Sequence, residues 1–110
     1  MRSTRDVGPE VRADHLSDPP LLVLASLADG PKHGYAMIEE IERMSGARLG
    51  PGTLYGAITR LEEQRLIEPL AMEERRRPYR LTAAGRRALR AKLLAMRQIA
   101  SVGLRKLEAR

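Results

Sequence analysis

Cysteine, phenylalanine and tryptophan are absent from the chain, and only three tyrosines occur in its 110 residues. Without cysteine there is no disulfide framework, no thiolate metal site and no thiol nucleophile, which fits a reducing cytoplasm. With so few aromatic residues the core must rest on Leu, Ile, Val, Ala and Met. That composition favours helices over a β-sandwich. Long apolar runs are missing too: the longest, "PPLLVLASLA" (Pro19 to Ala28), is too short to span a bilayer and lies too far along the chain for a signal peptide. The expectation is a cytoplasmic protein with no membrane partner. At this length it is one domain with a modest core, short enough for partner contacts to complete it.

Histidine is scarce as well. His15 and His33 are the only two, and neither has a partner at ligand or triad spacing. Neither an enzyme, a metal site nor a cofactor is expected. His33 stands just before Gly34, where it would cap a helix or meet a phosphate.

Positive charge is what the chain has in excess, at a net +6, and its placement is uneven. Residues 82–110 hold eight basic side chains against Glu108 alone, which leaves the other 81 residues at −1. Among those, "RRRPYR" (Arg75 to Arg80) packs four Arg into six positions. A polyanionic partner follows, nucleic acid before membrane. The plainer reading is a solvated charged surface.

Along the chain, residues 1–17 mix charges with Gly8 and Pro9 and read as an N-terminal arm, with or without a short helix from Pro9. Asp18 is a good N-cap and Pro19 a good first helical residue; the apolar run that follows has no polar side and belongs at the centre of the domain. A second helix is predicted from Gly34 to Ser45, with Tyr35, Ile38, Ile41 and Met44 or Ser45 on its apolar stripe and Gly46 ending it. A third starts at Pro51 after Gly50, with Leu54, Ile58, Leu61 and the stem of Arg65 on one face. "LIEPLAM" (Leu66 to Met72) and "PYRLT" (Pro78 to Thr82) then read as a hairpin, in which Pro69 restricts pairing. Thr82 caps a last helix that runs to the C-terminus, about 40 Å if unbroken.

Three helices followed by a charged hairpin suggest a mainly α winged helix-turn-helix: a three-helix core and a two-stranded β wing over residues 18–82, with a long dimerisation helix over 83–110. In that arrangement the third helix presents its second face to the DNA major groove. That face carries Gly52, Thr53, Tyr55, Gly56, Thr59, Arg60 and Glu63, and among them are small residues that allow close approach, hydroxyls for phosphate or a thymine methyl, and a guanidinium for phosphate or guanine. Arg75, Arg76 and Arg77 would line the wing tip, against phosphates or in a minor groove. The same residues also read as a loosely capped surface helix and a hairpin tip whose charges guard an edge strand.

"LLVLASLADGPKHGYAMIEEIE", "PGTLYGAITRLEEQRLI" and "RRRPYRLTAAGRRAL" form an ordered set that resembles the PadR family of bacterial winged-helix transcriptional regulators, over about Leu21 to Leu89. The resemblance implies a homodimer on a pseudo-palindromic double-stranded operator, usually a repressor, often answering to phenolic acids, drugs or other small compounds. It places Tyr35, Thr53, Tyr55 and Arg60 towards DNA, with Arg76, Arg77 and Tyr79 in the wing region. Two departures stand out: Gly50 where many members have Ser, and Gly56 where many have Pro. The wing is also shorter than in members with a Gly-rich tip. No Trp is present for stacking a flat ligand, so a small-molecule effector is left unidentified.

In the last helix Leu89, Leu93, Met96, Ala100, Gly103 and Leu107 follow an unbroken heptad spacing. One helix cannot bury that stripe against a small core, so self-association follows. Its alternative is folding back on its own domain. Two further function classes stay open: a protein-interaction module, which would bind no duplex, and a sequence-indifferent architectural DNA-binding protein, which would bind scrambled DNA equally.

Overall fold

The computed structural model describes residues 18–109, so the reading of residues 1–17 as an arm lies outside the described residues. These residues form a winged helix of order α1 (Pro19–Ser26), α2 (Gly34–Ser45), α3 (Pro51–Glu63), β1 (Ile67–Pro69), β2 (Tyr79–Leu81) and α4 (Ala83–Glu108). No helix among them is long and apolar enough to cross a membrane.

The Asp18 carboxylate accepts the Leu21 amide at 3.3 Å, one of the donors that a helix start leaves unpaired, and two prolines fill the positions that need no donor. Leu21, Leu22, Val23 and Leu24 are all buried, so α1 has no solvent side and forms the middle of the core. Ser26 is fully buried there, and its hydroxyl donates to the Val23 carbonyl at 2.7 Å, which removes the cost of an unpaired polar group.

Helix α2 begins at His33, whose Nδ1 accepts the Ala36 amide, and ends at Gly46, which adopts φ 78°. Its buried side is Gly34, Met37, Ile38 and Ile41. Tyr35 and Met44, expected on that stripe, are instead exposed at 55% and 44%. Ile38 and Ile41 are buried as expected and Ser45, the alternative to Met44, is partly buried, so the stripe departs from the expected one mainly at its start, where Gly34 rather than Tyr35 fits against α3.

Leu54, Ala57, Ile58 and Leu61 seat α3 on the core. Arg65 does not extend this stripe as expected. It takes φ 61°, and the chain reverses through bonds from the Arg65 amide to the Glu62 carbonyl and from the Leu66 amide to the Leu61 carbonyl. These are the two bonds of a Schellman stop, with Arg in the place glycine usually takes.

Strands β1 and β2 pair antiparallel, with Ile67 opposite Leu81, Glu68 opposite Arg80 and Pro69 opposite Tyr79. They are shorter than the expected runs because Pro69 has no amide to continue the ladder. On its other side β2 is joined by Lys32, which exchanges both backbone bonds with Tyr79. The loop before α2 is thereby stitched to the wing. At the far end Glu73 and Arg76 exchange bonds around Glu74 and Arg75, both at positive φ, as a type I′ turn requires.

Thr82 joins hairpin to α4. Its hydroxyl accepts the Gly85 amide and donates to the Arg65 carbonyl, and its own amide donates to the Leu66 carbonyl. Gly85 and Leu89 are the buried residues of α4, so its first two turns belong to the domain core. Its 26 residues span about 39 Å at 1.5 Å each, and everything from Arg90 to Ser101 is exposed. This projecting rod gives the molecule its extents of 54 × 28 × 22 Å.

Candidate nucleic-acid interface

Burial of Leu54, Ala57, Ile58 and Leu61 turns the opposite side of α3 outward. Gly52, Thr53, Tyr55, Thr59 and Arg60 are exposed there, and Gly56 is partly exposed. No side chain caps α3 at Gly50, which leaves the first amides of the helix, including those of Gly52 and Thr53, pointing outward. Thr59 has its hydroxyl donated to the Tyr55 carbonyl at 2.9 Å, so only its lone pairs and methyl face out.

The glycines differ sharply in what holds them in place. A Cβ on Gly34 would overlap the ring and hydroxyl of Tyr55, so glycine here lets Tyr55 lie across the start of α2. A Cβ on Gly52 would meet open space, and one on Gly56 only the end of Arg60 at 3.9 Å. Folding requires neither of these two glycines. They leave α3 thin on the side that faces out.

The wing comes round to the same side. Arg76 Nη1 lies 3.2 Å from His33 Nε2, and Arg77 Nη1 donates to the Leu70 carbonyl at 2.6 Å. Arg75 sits at the turn, with its side chain exposed. Together with Gly34, Tyr35, Tyr55 and Met72, these three arginines and His33 line an open groove of about 420 Å³. Among the described residues no carboxylate lines it, and its charged side chains there are all arginines.

The structure therefore brings Tyr35, Tyr55, Arg75, Arg76 and Arg77 together, while Gly52, Thr53, Gly56, Thr59 and Arg60 extend the surface along α3 outside the groove lining. Tyr79 is placed differently from the rest. It packs partly buried against the core, and burial pushes its phenol above the ordinary range, so it stays uncharged. Its backbone, bonded to Lys32, is what ties the wing down. His33, Gly34 and Met72 complete the groove without having been singled out as its lining. The His-Gly step was visible in the sequence, but nothing local signals a contact from His33 to a residue 43 positions on.

On α4, Leu89 is a correction to the expected dimer seam: at 4% exposure it is part of the domain's own core. Beyond it Leu93, Leu94, Met96, Ile99, Leu104 and Leu107 are exposed, the last at 82%. Ala100 is exposed and Gly103 partly so.

Comparison with known proteins places this architecture. Residues 23–91 match the transcriptional regulator PadR-like family. The class is thus that of winged-helix transcriptional regulators, not enzymes, and the chain belongs to the PadR-like family. It is 39% identical over 87 residues to a transcriptional regulator of Mycobacterium tuberculosis, a match covering 73% of this chain and 77% of that protein. It is 56% identical over 73 residues to a 37.1 kDa protein of transposon TN4556 from Streptomyces fradiae, covering 66% of this chain but only 21% of that relative's length. Among solved structures, a PadR family transcription regulator of Clostridium difficile superposes with a TM-score of 0.72 at 28% identity, over 81% of this chain and 97% of that one.

Proposed function

We propose that the protein is a sequence-specific DNA-binding repressor that acts as a homodimer on a pseudo-palindromic operator. Bases are read by Thr53, Tyr55, Thr59 and Arg60 on the outward face of α3, and Gly52 and Gly56 let its backbone approach. Tyr35 and Arg75, Arg76 and Arg77 hold the phosphate backbone beside it. The observation that carries this reading is the pair of glycines on α3 that the fold itself does not need, on the same surface as a groove lined, among the described residues, by three arginines and no carboxylate. A solvated surface helix would gain about 1 kcal/mol from Ala at an interior position such as Gly56.

The exposed apolar stripe of α4 from Leu93 to Leu107 supports the dimer, since a patch of that kind on one helix calls for a partner. A two-fold dimer sets two α3 helices against two half-sites about one DNA turn, roughly 34 Å, apart. Release by a small molecule is part of the proposal, and the apolar groove of about 320 Å³ between α1, the end of α3 and α4, floored by Leu21, Leu24 and Leu61, is the place for it.

Fluorescence anisotropy against a duplex from upstream of the protein's own gene and a scrambled duplex, across a salt series, tests the proposal. Preference for the upstream duplex by about 10³-fold or more at physiological salt is expected. Equal, steeply salt-dependent binding would indicate an architectural protein, and binding to neither an interaction module.

A further inference from the structure

We infer that His33 and Arg76 together grip one backbone phosphate of the bound duplex, so that the start of α2 and the wing close on DNA as a single clamp; the inference rests on the DNA-binding reading above. His33 Nδ1 faces the Ala36 amide at 3.4 Å, and its Nε2 faces Arg76 Nη1 at 3.2 Å. Both neighbours are donors only, because a guanidinium offers no acceptor. A neutral imidazole has one acceptor nitrogen and one N–H. If Nδ1 accepts and caps α2, the hydrogen is on Nε2 and confronts Arg76. If Nε2 accepts from Arg76, the Nδ1 hydrogen confronts Ala36 and the cap is lost. A protonated ring confronts both.

With Arg76 and Ala36 at these distances, one side of His33 meets a donor with a donor in either tautomer and in the protonated ring. An oxyanion seated between Nε2 and Arg76 removes the conflict. It accepts from both groups, as phosphate oxygens do from charged donors, while Nδ1 keeps the cap. The surroundings suit an anion: among the described residues the groove holds Arg75, Arg77, Tyr35 and Tyr55 with no carboxylate, and the first turn of α2 has no acidic residue. Tyr55, whose hydroxyl lies against Gly34, carries the groove onto the exposed face of α3. That continuity points to a phosphate of the duplex lying along α3 instead of a free anion.

The clamp is tested with a short duplex selected by the wild-type protein from a random-sequence pool, in which each phosphate in turn is replaced by a neutral methylphosphonate. His33→Asn is the informative variant, because Asn is as good an N-cap as any residue yet lacks the imidazole Nε2. At one phosphate or more, the replacement is expected to weaken wild-type binding about tenfold. His33→Asn and Arg76→Ala are each expected to weaken binding to the unmodified duplex by a similar factor, and to be indifferent to replacement at that same phosphate. His33→Asn should keep the wild-type melting temperature. Undiminished sensitivity of His33→Asn at every phosphate would overturn the clamp while leaving the DNA-binding reading intact. Inorganic phosphate that competes with the duplex at constant ionic strength, and stops doing so in His33→Asn, would reassign the site to free anions and overturn it too. A wild-type protein that selects no duplex overturns both.

Discussion

Among the described glycines, Gly85 leaves the least room for a side chain. A Cβ there would fall within the Leu66 carbonyl, because the first turn of α4 crosses the end of the α3–β1 connection at backbone contact. Backbone cannot rotate away as a side chain does, so Gly85→Ala is expected to destabilise the protein by about 2–3 kcal/mol in urea unfolding. An unchanged midpoint would contradict that packing. Gly56 is the opposite case, held by nothing in the fold. Gly56→Ala is expected to raise stability by about 0.5–1 kcal/mol and to weaken operator binding in the same protein. A gain in stability with unaltered DNA affinity would remove Gly56 from the interface.

At the scale of elements, the wing tip stands out. Glu74 and Arg75 occupy the two central positions of a turn that favours Asn-Gly, and both sit at positive φ with a Cβ. Replacing them by Asn and Gly together is expected to stabilise the protein by about 1 kcal/mol, read from the unfolding midpoint. Loss of Arg75 should meanwhile lower the salt slope of DNA binding by about 0.9 for each wing that touches DNA. A slope that does not move would take Arg75 off the phosphate backbone. Much of the helical plan was legible in the sequence, because caps are local chemistry: Asp18 with Pro19, Gly50 with Pro51 and Thr82 all start the helices they mark. Gly46 likewise ends α2 where expected. The turn itself was illegible because its residues are the wrong ones for it. So was the Arg65 stop, where the usual glycine is missing. Non-local contacts left no mark either: Lys32 pairing with Tyr79, His33 meeting Arg76, and Leu89 sinking into the core all depend on the finished fold. Of the candidate site, the exposed face of α3 followed from helical period alone, whereas the groove shared by α2 and the wing did not.

At the scale of the whole molecule, α4 decides what the domain can do. Its first two turns complete the core and the rest carries an apolar stripe into solvent, with Ile99 at 71% exposure. A charge placed in that stripe would be desolvated on association. Leu93→Glu combined with Leu104→Glu is therefore expected to give a folded monomer in sedimentation equilibrium, with operator affinity reduced at least about tenfold through loss of the second half-site. A variant that remains dimeric would move the dimer interface elsewhere. The measurement that bears most directly on the central claim is the ratio of affinities for a selected operator duplex and a scrambled one, in the wild type and in Arg60→Ala, at one fixed salt concentration. The expected result is a wild-type ratio of about 10³ or more that falls about tenfold in Arg60→Ala, with melting temperature and dimer unchanged. A wild-type ratio near one, or an Arg60→Ala protein that loses affinity equally for both duplexes, would contradict base reading by α3.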